Sequence, residues 1–266
     1  MSLPPELSDS PVKYGESLCI ARRGKVLLVA LHRKRTKNAF NDAQYLDLVS
    51  VIKIVSKDES IHAIVLTGMG DYFSSGADLS EWNFTNDEDE EGDTGRGKGV
   101  LQKPAGKFMM TLLSFPKVFC AAVNGPAVGI GVTLLLHCDL VYCTPNSTFW
   151  VPFTRIALVP EFASSVTFPD TMGLSNANEL LLLGKKFDAQ KAISCHICSD
   201  VIEGCNEGGD AFSESSIGSK LCAEIDSKLL NLTHGEETSK VWHNMVHSWL
   251  LIFTSTSVKL TVYSFF

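Results

Sequence analysis

The sequence predicts an α/β fold, in which helices pack on the faces of a β-sheet. Short apolar runs typical of buried strands alternate with segments of helical periodicity across Lys25 to Leu183, and this alternation is typical of sheets covered by helices. Loops rich in Gly and Ser follow two of the apolar runs, as expected where a buried strand ends in a turn. The 266 residues, 45% of them hydrophobic, suffice for one large domain or two small ones.

Each element is assigned from its apolar pattern and its boundary residues. Apolar runs on either side of Arg23-Gly24 predict a β-hairpin. Asn41 or Asp42 is a helix-cap candidate, and apolar residues follow it at helical spacing. The predicted strands are Ser17–Arg22, Lys25–Leu31, Ile61–Thr67, Val118–Val123, Leu140–Cys143 and Thr148–Val151. The predicted helices are Asn41–Lys57, Lys107–Leu113, an apolar helix after Gly131 that runs through Leu136, Ser164–Met172, Ser175–Leu183, Ala189–Ile193 and Ser219–Leu230.

Composition and charge argue against several classes of protein. The formal net charge of −7 disfavours nucleic-acid binding, which usually requires a clustered basic surface. No run approaches the roughly 20 consecutive apolar residues that a membrane span needs. Met1 to Gly15 lacks an apolar core, so we expect neither a secretory signal nor a transit peptide there. The eight cysteines lie mostly in apolar runs, and we expect reduced thiols in an intracellular compartment.

One cysteine pair, Cys195-His196-Ile197-Cys198, has the spacing of half a zinc site or of a redox pair. A structural zinc site needs four ligands, and Cys205 alone does not complete such a pattern. We therefore expect no metal site.

Three segments carry the residue types that catalysis requires. Phe73 to Leu79 and Asn124 to Gly131 each follow a buried strand, and their small residues allow a ligand to approach the backbone closely. The helix after the second loop turns free amides toward the same space, so amides from two loops could converge on one oxygen as an oxyanion hole. In Val159 to Ser165 one carboxylate, Glu161, stands between apolar residues ahead of a helix. There are simpler alternatives. The loops are then ordinary turns, and Glu161 is an acidic residue that the helix dipole favours near the start of a helix.

Taken together, these segments resemble the crotonase family, also called the enoyl-CoA hydratase/isomerase superfamily, over roughly Leu18 to Glu203. The residues that carry the resemblance are Lys37-Asn38-Ala39, Ser75-Gly76-Ala77-Asp78-Leu79, Val123-Asn124-Gly125-Pro126-Ala127-Val128-Gly129 and Cys138-Asp139-Leu140-Val141. The chain is most similar to the peroxisomal-type delta-3, delta-2 enoyl-CoA isomerases. The residues that favour that subgroup are Thr148-Phe149 to Pro152-Phe153, Pro160-Glu161, Thr167-Phe168-Pro169 and Leu183-Gly184-Lys185-Lys186.

The resemblance implies a crotonase (ClpP-like) fold of stacked ββα turns with C-terminal helices, assembled as a homotrimer or homohexamer. It implies an oxyanion hole formed by the backbone N–H groups of Ala77 and Ile130, and Glu161 as the catalytic acid/base. The implied contacts with the acyl-CoA substrate are Lys37, Asn38, Ala39, Ser75, Gly76, Ala77, Asp78, Leu79 and Gly129. Coenzyme A is then part of the substrate, and no separate cofactor is expected.

The resemblance favours isomerisation over hydration. Two glutamates hold the attacking water in hydratases of this family, and the matching positions here are Thr133 and Phe153. Phe153 cannot accept a proton, and Thr133 is no base near neutral pH. One carboxylate that reaches two carbons suffices for a double-bond shift, and three apolar neighbours are expected to desolvate Glu161 and make it a stronger base. These neighbours are Phe153, Phe162 and Val159.

The resemblance therefore predicts an enoyl-CoA isomerase that converts 3-enoyl-CoA to 2-trans-enoyl-CoA in the β-oxidation of unsaturated fatty acids. One alternative is a non-catalytic acyl-CoA-binding scaffold on the same fold, as in chromodomain Y-like proteins. The other alternative is a hydratase or a thioester hydrolase.

Domain limits and location follow from where the resemblance ends. Residues 15–203 are predicted to form the crotonase-fold core and residues 204–266 a divergent C-terminal helical region. Within the core, Asn86 to Asp93 reads NDEDEEGD and is expected to be a solvated acidic loop. The family implies a peroxisome or a mitochondrion. The chain itself ends in Ser-Phe-Phe, so we expect no C-terminal Ser-Lys-Leu address.

Overall fold

The structure is a computed structural model that describes residues 8–81, 101–205 and 210–232, and it confirms the predicted α/β class. The predicted acidic loop, Asn86 to Asp93, and the apolar end of the chain beyond residue 232 lie outside the described residues. Within the described parts, no helix is both long and apolar enough to cross a membrane.

Ten strands form two sheets in the described part of the chain. They are β1 (Val12–Tyr14), β2 (Leu18–Arg23), β3 (Val26–Leu31), β4 (Ala63–Gly68), β5 (Val118–Val123), β6 (Ala127–Val128), β7 (Leu140–Cys143), β8 (Thr148–Trp150), β9 (Phe187–Asp188) and β10 (Asp200–Val201). The large sheet has the order β1-β2-β3-β4-β5-β7-β10, and the small one has the order β6-β8-β9. The predicted hairpin is confirmed as β2 and β3, which pair antiparallel from Leu18 with Leu31 to Arg23 with Val26.

The centre of the large sheet is parallel and covered on both faces. Strand β3 pairs parallel with β4, β4 with β5, and β5 with β7. Every residue of β3, β4 and β5 is buried, as expected for parallel strands with helices on both sides. The carboxyl ends of these strands therefore meet at one edge, where their following loops lie close together.

Six α-helices and four 3₁₀ turns connect the strands of the described segments. The helices are α1 (Asp42–Val55), α2 (Pro104–Leu113), α3 (Ile130–Thr133), α4 (Ser164–Leu181), α5 (Ala189–Ser194) and α6 (Ile217–Leu232), and the 3₁₀ turns are Lys34–Thr36, Leu79–Glu81, Leu134–His137 and Phe153–Ile156. The predicted cap of α1 is confirmed, because the Asn41 side chain accepts a hydrogen bond from the Gln44 amide.

Three details differ from the sequence prediction. The apolar helix predicted after Gly131 is a single α-helical turn that tightens into 3₁₀ geometry, with the Gly129 carbonyl accepting from both the Val132 and the Thr133 amide. The two helices predicted between Ser164 and Leu183 are one element, kinked where Gly173 leaves helical geometry. Strands β1, β6, β9 and β10 were not predicted, because two or three residues are too few to show a period of two.

The described C-terminal segment packs on one face of the large sheet. Phe212, Leu221 and Ile225 are buried in a cluster with alternate side chains of β3, β4 and β5. The opposite face carries the larger core, which includes α1 and α2. The predicted division at residue 203 falls at a turn between β10 and this segment, and as a domain boundary it stays a prediction.

Because Leu221 is only 1% exposed beneath the sheet, we expect Leu221→Ala to lower the free energy of unfolding by about 2–5 kcal/mol. Urea denaturation at neutral pH measures the change. The matched control is Leu46→Ala on α1, where the side chain is 45% exposed and a change within about 0.5 kcal/mol is expected. Equal, small effects at both positions would show that α6 does not pack as described.

Candidate active site

Three loops meet at the carboxyl edge of the parallel strands. They follow β3, β4 and β5, and two isolated parallel bridges join them side by side. One bridge pairs Phe40 with Ala77, and the other pairs Ser74 with Ala127. The structure therefore brings Lys37 to Ala39, Phe73 to Leu79 and Asn124 to Gly131 together from separate parts of the chain.

Asn38 holds the first two loops together from inside the protein. Its side chain is fully buried, accepts a hydrogen bond from the Arg33 amide, and donates to the carbonyls of Met69 (3.0 Å) and Tyr72 (2.8 Å). Its own carbonyl accepts from the Ser74 hydroxyl at 2.9 Å. The side chain of Asn38 therefore makes its hydrogen bonds with the protein backbone, and its role at this edge is structural.

The other residues predicted to contact the substrate lie on the same edge with varied exposure. Lys37 is exposed, with its ammonium 4.7 Å from the centre of the Tyr72 ring, and Ala39 is buried. The Ser75 hydroxyl donates to a loop carbonyl, and Leu79 is 44% exposed.

Asp78 is engaged in an ion pair at this edge. Its carboxylate lies 2.9 Å from the Arg33 guanidinium and accepts a hydrogen bond from the Ser80 hydroxyl at 2.6 Å. These contacts, that from Ser80 foremost, hold the pKa of Asp78 below its ordinary value. Asp78 is thus an ionised structural residue, and Leu79 and Lys37 offer the accessible side chains.

Two glycines allow the second and third loops to touch. Gly76 has φ +96° and Gly129 has φ +53°, which is backbone geometry that favours glycine. A methyl group on Gly76 would lie 3.2 Å from the Val128 carbonyl oxygen, and one on Gly129 would lie 3.8 Å from Gly76 Cα. Both loops thereby bring bare backbone to the same place.

The residue after each of these glycines has an amide that is not paired with any described residue. Gly76 donates to the Ser74 hydroxyl and Gly129 donates to the Trp150 carbonyl. The amides of Ala77 and Ile130, by contrast, donate to no acceptor among the residues that the structure describes. Ile130 is fully buried and begins α3, where the first amides of a helix have no partner within the helix. A buried free donor is costly, so this pair is suited to bind an oxygen of a ligand.

Glu161 lies in a strained turn ahead of α4. The two residues after it, Phe162 (φ 51°) and Ala163 (φ 54°), both have left-handed backbone, which costs a non-glycine residue roughly 1–3 kcal/mol. The Glu161 carbonyl accepts hydrogen bonds from the amide and hydroxyl of Ser164. The backbone on the C-terminal side of Glu161 is therefore fixed.

The electrostatics of Glu161 do not fit the alternative in which it is an ordinary acidic residue in the first turn of a helix. Helix α4 has no acidic residue in its first turn, and a helix dipole would lower a carboxyl pKa. Instead, although the residue keeps some contact with solvent, burial raises the pKa of Glu161 from 4.5 to about 7. No hydrogen bond or ion pair from a described residue reaches its carboxyl group.

An aromatic cluster surrounds this turn, and sequence reasoning missed most of it. Phe108 of α2 lies between Tyr45 of α1 and Phe162, with ring centres 5.7 and 6.5 Å away. Burial and the Glu161 charge raise the pKa of Tyr45, which places the phenol near that carboxylate. The ring of His137 stacks on Phe162 with centres 4.0 Å apart. These residues come from four elements, and no local spacing in the sequence links them.

The expected apolar neighbours of Glu161 need one correction. Phe153 and Phe162 are buried, but Val159 is 79% exposed and contributes little to desolvation. Val159 follows the end of the 3₁₀ turn Phe153–Ile156, which Ala157 closes with left-handed backbone. Thr133 is fully buried, and its hydroxyl has no partner among the described residues.

The cysteine pair is packed inside the protein. Cys195 and Cys198 are buried as free thiols, and burial raises the pKa of Cys195. A hydrogen bond with Cys143 and burial raise the pKa of Cys198. In the described residues, no group of three or more His, Cys, Asp or Glu side chains is placed to hold a metal ion.

Comparison with known proteins identifies relatives of the chain. A family model described as enoyl-CoA hydratase/isomerase matches residues 21–204. The chain is 37% identical over 194 residues to enoyl-CoA delta isomerase 2 of Rattus norvegicus, covering 73% of this chain and 48% of that protein. It is 32% identical over 235 residues to enoyl-CoA delta isomerase 3, peroxisomal, of Mus musculus, covering 88% and 72%. The chain therefore spans about half the length of the rat relative.

Solved structures share the fold. Pseudomonas aeruginosa OdaA superposes with a TM-score of 0.72 at 31% identity, over 92% of this chain and 87% of that one.

The raised pKa of Glu161 predicts how the free energy of unfolding depends on pH. A carboxyl group whose pKa rises from 4.5 to about 7 on folding stabilises the fold below pH 4.5, and this contribution is lost as the pH rises through about 7. We therefore expect Glu161→Gln to stabilise the protein relative to wild type more at pH 8 than at pH 5. The effect of the substitution on the free energy of unfolding should differ by about 2–3 kcal/mol between the two pH values. Urea denaturation at the two pH values measures this difference. A substitution effect that is the same at both would show that the carboxyl is not desolvated.

Proposed function

The chain belongs to the enoyl-CoA hydratase/isomerase family, and on that premise we propose that it is an enoyl-CoA isomerase. It converts 3-enoyl-CoA to 2-trans-enoyl-CoA, with Glu161 as the group that moves the proton. The observation that carries the proposal is the desolvated carboxyl of Glu161, with its pKa raised to about 7, in a site with two backbone amides that no described residue accepts from.

The reaction needs one group that is both base and acid. The Glu161 carboxylate takes a proton from the carbon alpha to the thioester carbonyl. The electron pair left on that carbon delocalises onto the carbonyl oxygen and, across the neighbouring double bond, onto the gamma carbon, which gives a dienolate. The carboxylic acid then returns the proton to the gamma carbon, so Glu161 ends in its starting state. A pKa of about 7 suits both transfers near neutral pH.

The free amides of Ala77 and Ile130 supply the second requirement. Negative charge develops on the thioester oxygen in the dienolate, and amides fixed by the fold stabilise it without having to reorient. Removing one such donor in other enzymes raises the activation barrier by about 2.7–4 kcal/mol.

The two positions that match the water-holding glutamates of hydratases carry no base here. Thr133 is buried with an unpaired hydroxyl, and Phe153 is buried and apolar. Neither side chain is a base near neutral pH, and this supports a double-bond shift in preference to addition of water.

We predict that the protein isomerises 3-enoyl-CoA and that Glu161→Gln lowers kcat by about 10²–10⁴-fold, since general acid–base groups contribute that much. Binding of acyl-CoA should be nearly unchanged, because Gln keeps the shape of Glu and the amides are intact. The formation of conjugated 2-enoyl-CoA measures the rate, and calorimetric titration with a saturated acyl-CoA measures affinity. For wild type, kcat should fall as the pH drops through about 7, because the base must be ionised.

Hydration of 2-enoyl-CoA, followed in parallel by the appearance of 3-hydroxyacyl-CoA, should be negligible. Hydration as fast as isomerisation would contradict the proposal. Retention of most activity by Glu161→Gln would require another base, and an inactive wild-type protein that binds acyl-CoA would favour a non-catalytic scaffold.

We further propose a homotrimer or homohexamer that works in the peroxisome or the mitochondrion. Family membership supports the assembly, and the name of the mouse relative supports the peroxisome. Sedimentation equilibrium should give three or six subunits, and fractionation of the source cells should place the protein in one of these organelles. A stable monomer, or recovery outside both organelles, would contradict the corresponding proposal.

A further inference from the structure

His137 ends the helical segment that begins with the free amide of Ile130. Helix α3 starts at Ile130 and continues without interruption into the 3₁₀ turn Leu134–His137. The segment consists of one α-helical turn, Ile130–Thr133, and the 3₁₀ turn that follows it, and its residues up to Leu135 are buried. Its first residue offers the amide proposed to bind the thioester oxygen, and its last residue contacts the turn that carries Glu161.

Two contacts join His137 to the residue that follows Glu161. Its Nε2 atom lies 2.9 Å from the Phe162 carbonyl oxygen, and its ring stacks on the Phe162 ring with 4.0 Å between centres and 25° between planes. A carbonyl only accepts hydrogen bonds, so Nε2 must carry the hydrogen. Both the backbone and the side chain of Phe162 are therefore held by one imidazole.

The turn needs such a restraint. Phe162 and Ala163 both have left-handed backbone, a conformation that persists in non-glycine residues only where surrounding contacts enforce it. The Phe162 carbonyl accepts no other hydrogen bond from the described residues. Without His137, rotation of this peptide would relax the strain and carry the adjacent Glu161 toward solvent.

The charge state of His137 agrees with this role. Burial lowers the pKa of His137, and the hydrogen bond to Phe162 opposes that shift only in part. The imidazole is therefore neutral near pH 7, and it anchors the turn without placing a positive charge beside Glu161 that would weaken it as a base.

We propose that His137 is a positioning residue, which holds the Glu161 carboxyl in its buried orientation by anchoring both the carbonyl and the ring of Phe162. Its catalytic consequence rests on the proposed isomerase function, since it fixes the base relative to the Ile130 amide through one rigid segment. His137 itself takes no proton from the substrate.

The test separates positioning from folding and from catalysis. His137→Phe keeps a planar ring for stacking but removes the donor, and His137→Gln restores an N–H donor. We expect His137→Phe to lower kcat about 10- to 100-fold, since small displacements of a catalytic group cost that much, with KM little changed. His137→Gln should recover most of that loss.

A second readout does not depend on activity. Carbon-13 NMR titration of the side-chain carboxyls, with the Glu161 signal identified by its loss in Glu161→Gln, should show the pKa of Glu161 falling from about 7 toward 4.5 in His137→Phe. His62→Phe is the matched control, because His62 lies at the amino end of β4, opposite the site. It should change neither kcat nor the pKa of Glu161.

The outcomes are distinguishable. An active wild type whose kcat and Glu161 pKa survive His137→Phe overturns the role of His137 and leaves the isomerase proposal standing. An inactive wild type in which His137→Phe still lowers the Glu161 pKa refutes the isomerase and supports the anchoring. If His137→Phe does not fold, nitrogen-15 NMR of wild type decides, because neutral His137 with its hydrogen on Nδ1 could not donate to Phe162 and would overturn the proposal.

Discussion

A carboxyl group buried without a charged partner constrains the whole site. Glu161 has no ion pair with a described residue, and its pKa rises to about 7 because water is largely excluded. Such a group would turn to solvent if its backbone could move. The residues that follow it have left-handed backbone, and the ring of the first of them, Phe162, packs against Phe108. The rigidity of the surrounding core is therefore a condition for the chemistry proposed.

The same edge of the fold holds two backbone donors without an acceptor in the part of the chain that the structure describes. The fully buried strands β3, β4 and β5 end side by side, and the hydrogen bonds of Asn38 fix the loops that follow β3 and β4. Each glycine before a free amide allows the loops to approach within van der Waals contact. Unpaired donors, left-handed non-glycine residues and an isolated buried carboxyl each violate a general rule of protein stability. Such violations are expected where a protein spends stability on function.

One short segment links the two halves of the site. The start of α3 supplies the Ile130 amide, and the following 3₁₀ turn ends at His137, which contacts Phe162. A displacement of either end would change the distance between the proposed oxyanion hole and the proposed base. The tightening of this segment from α to 3₁₀ geometry sets how far apart its ends lie, so the departure from the predicted regular helix bears directly on the site.

The sequence by itself determined the features that depend on neighbouring residues. The hairpin, the buried strands, the cap at Asn41 and the choice of Glu161 as the isolated carboxylate all follow from local periodicity and side-chain chemistry. Tertiary structure alone decided that Val159 is exposed, and that Tyr45 comes near Glu161 and His137 contacts Phe162 from helical segments distant in the chain. These contacts join residues more than twenty positions apart, and their geometry is set by how the helices pack on the sheet, which no short sequence pattern encodes.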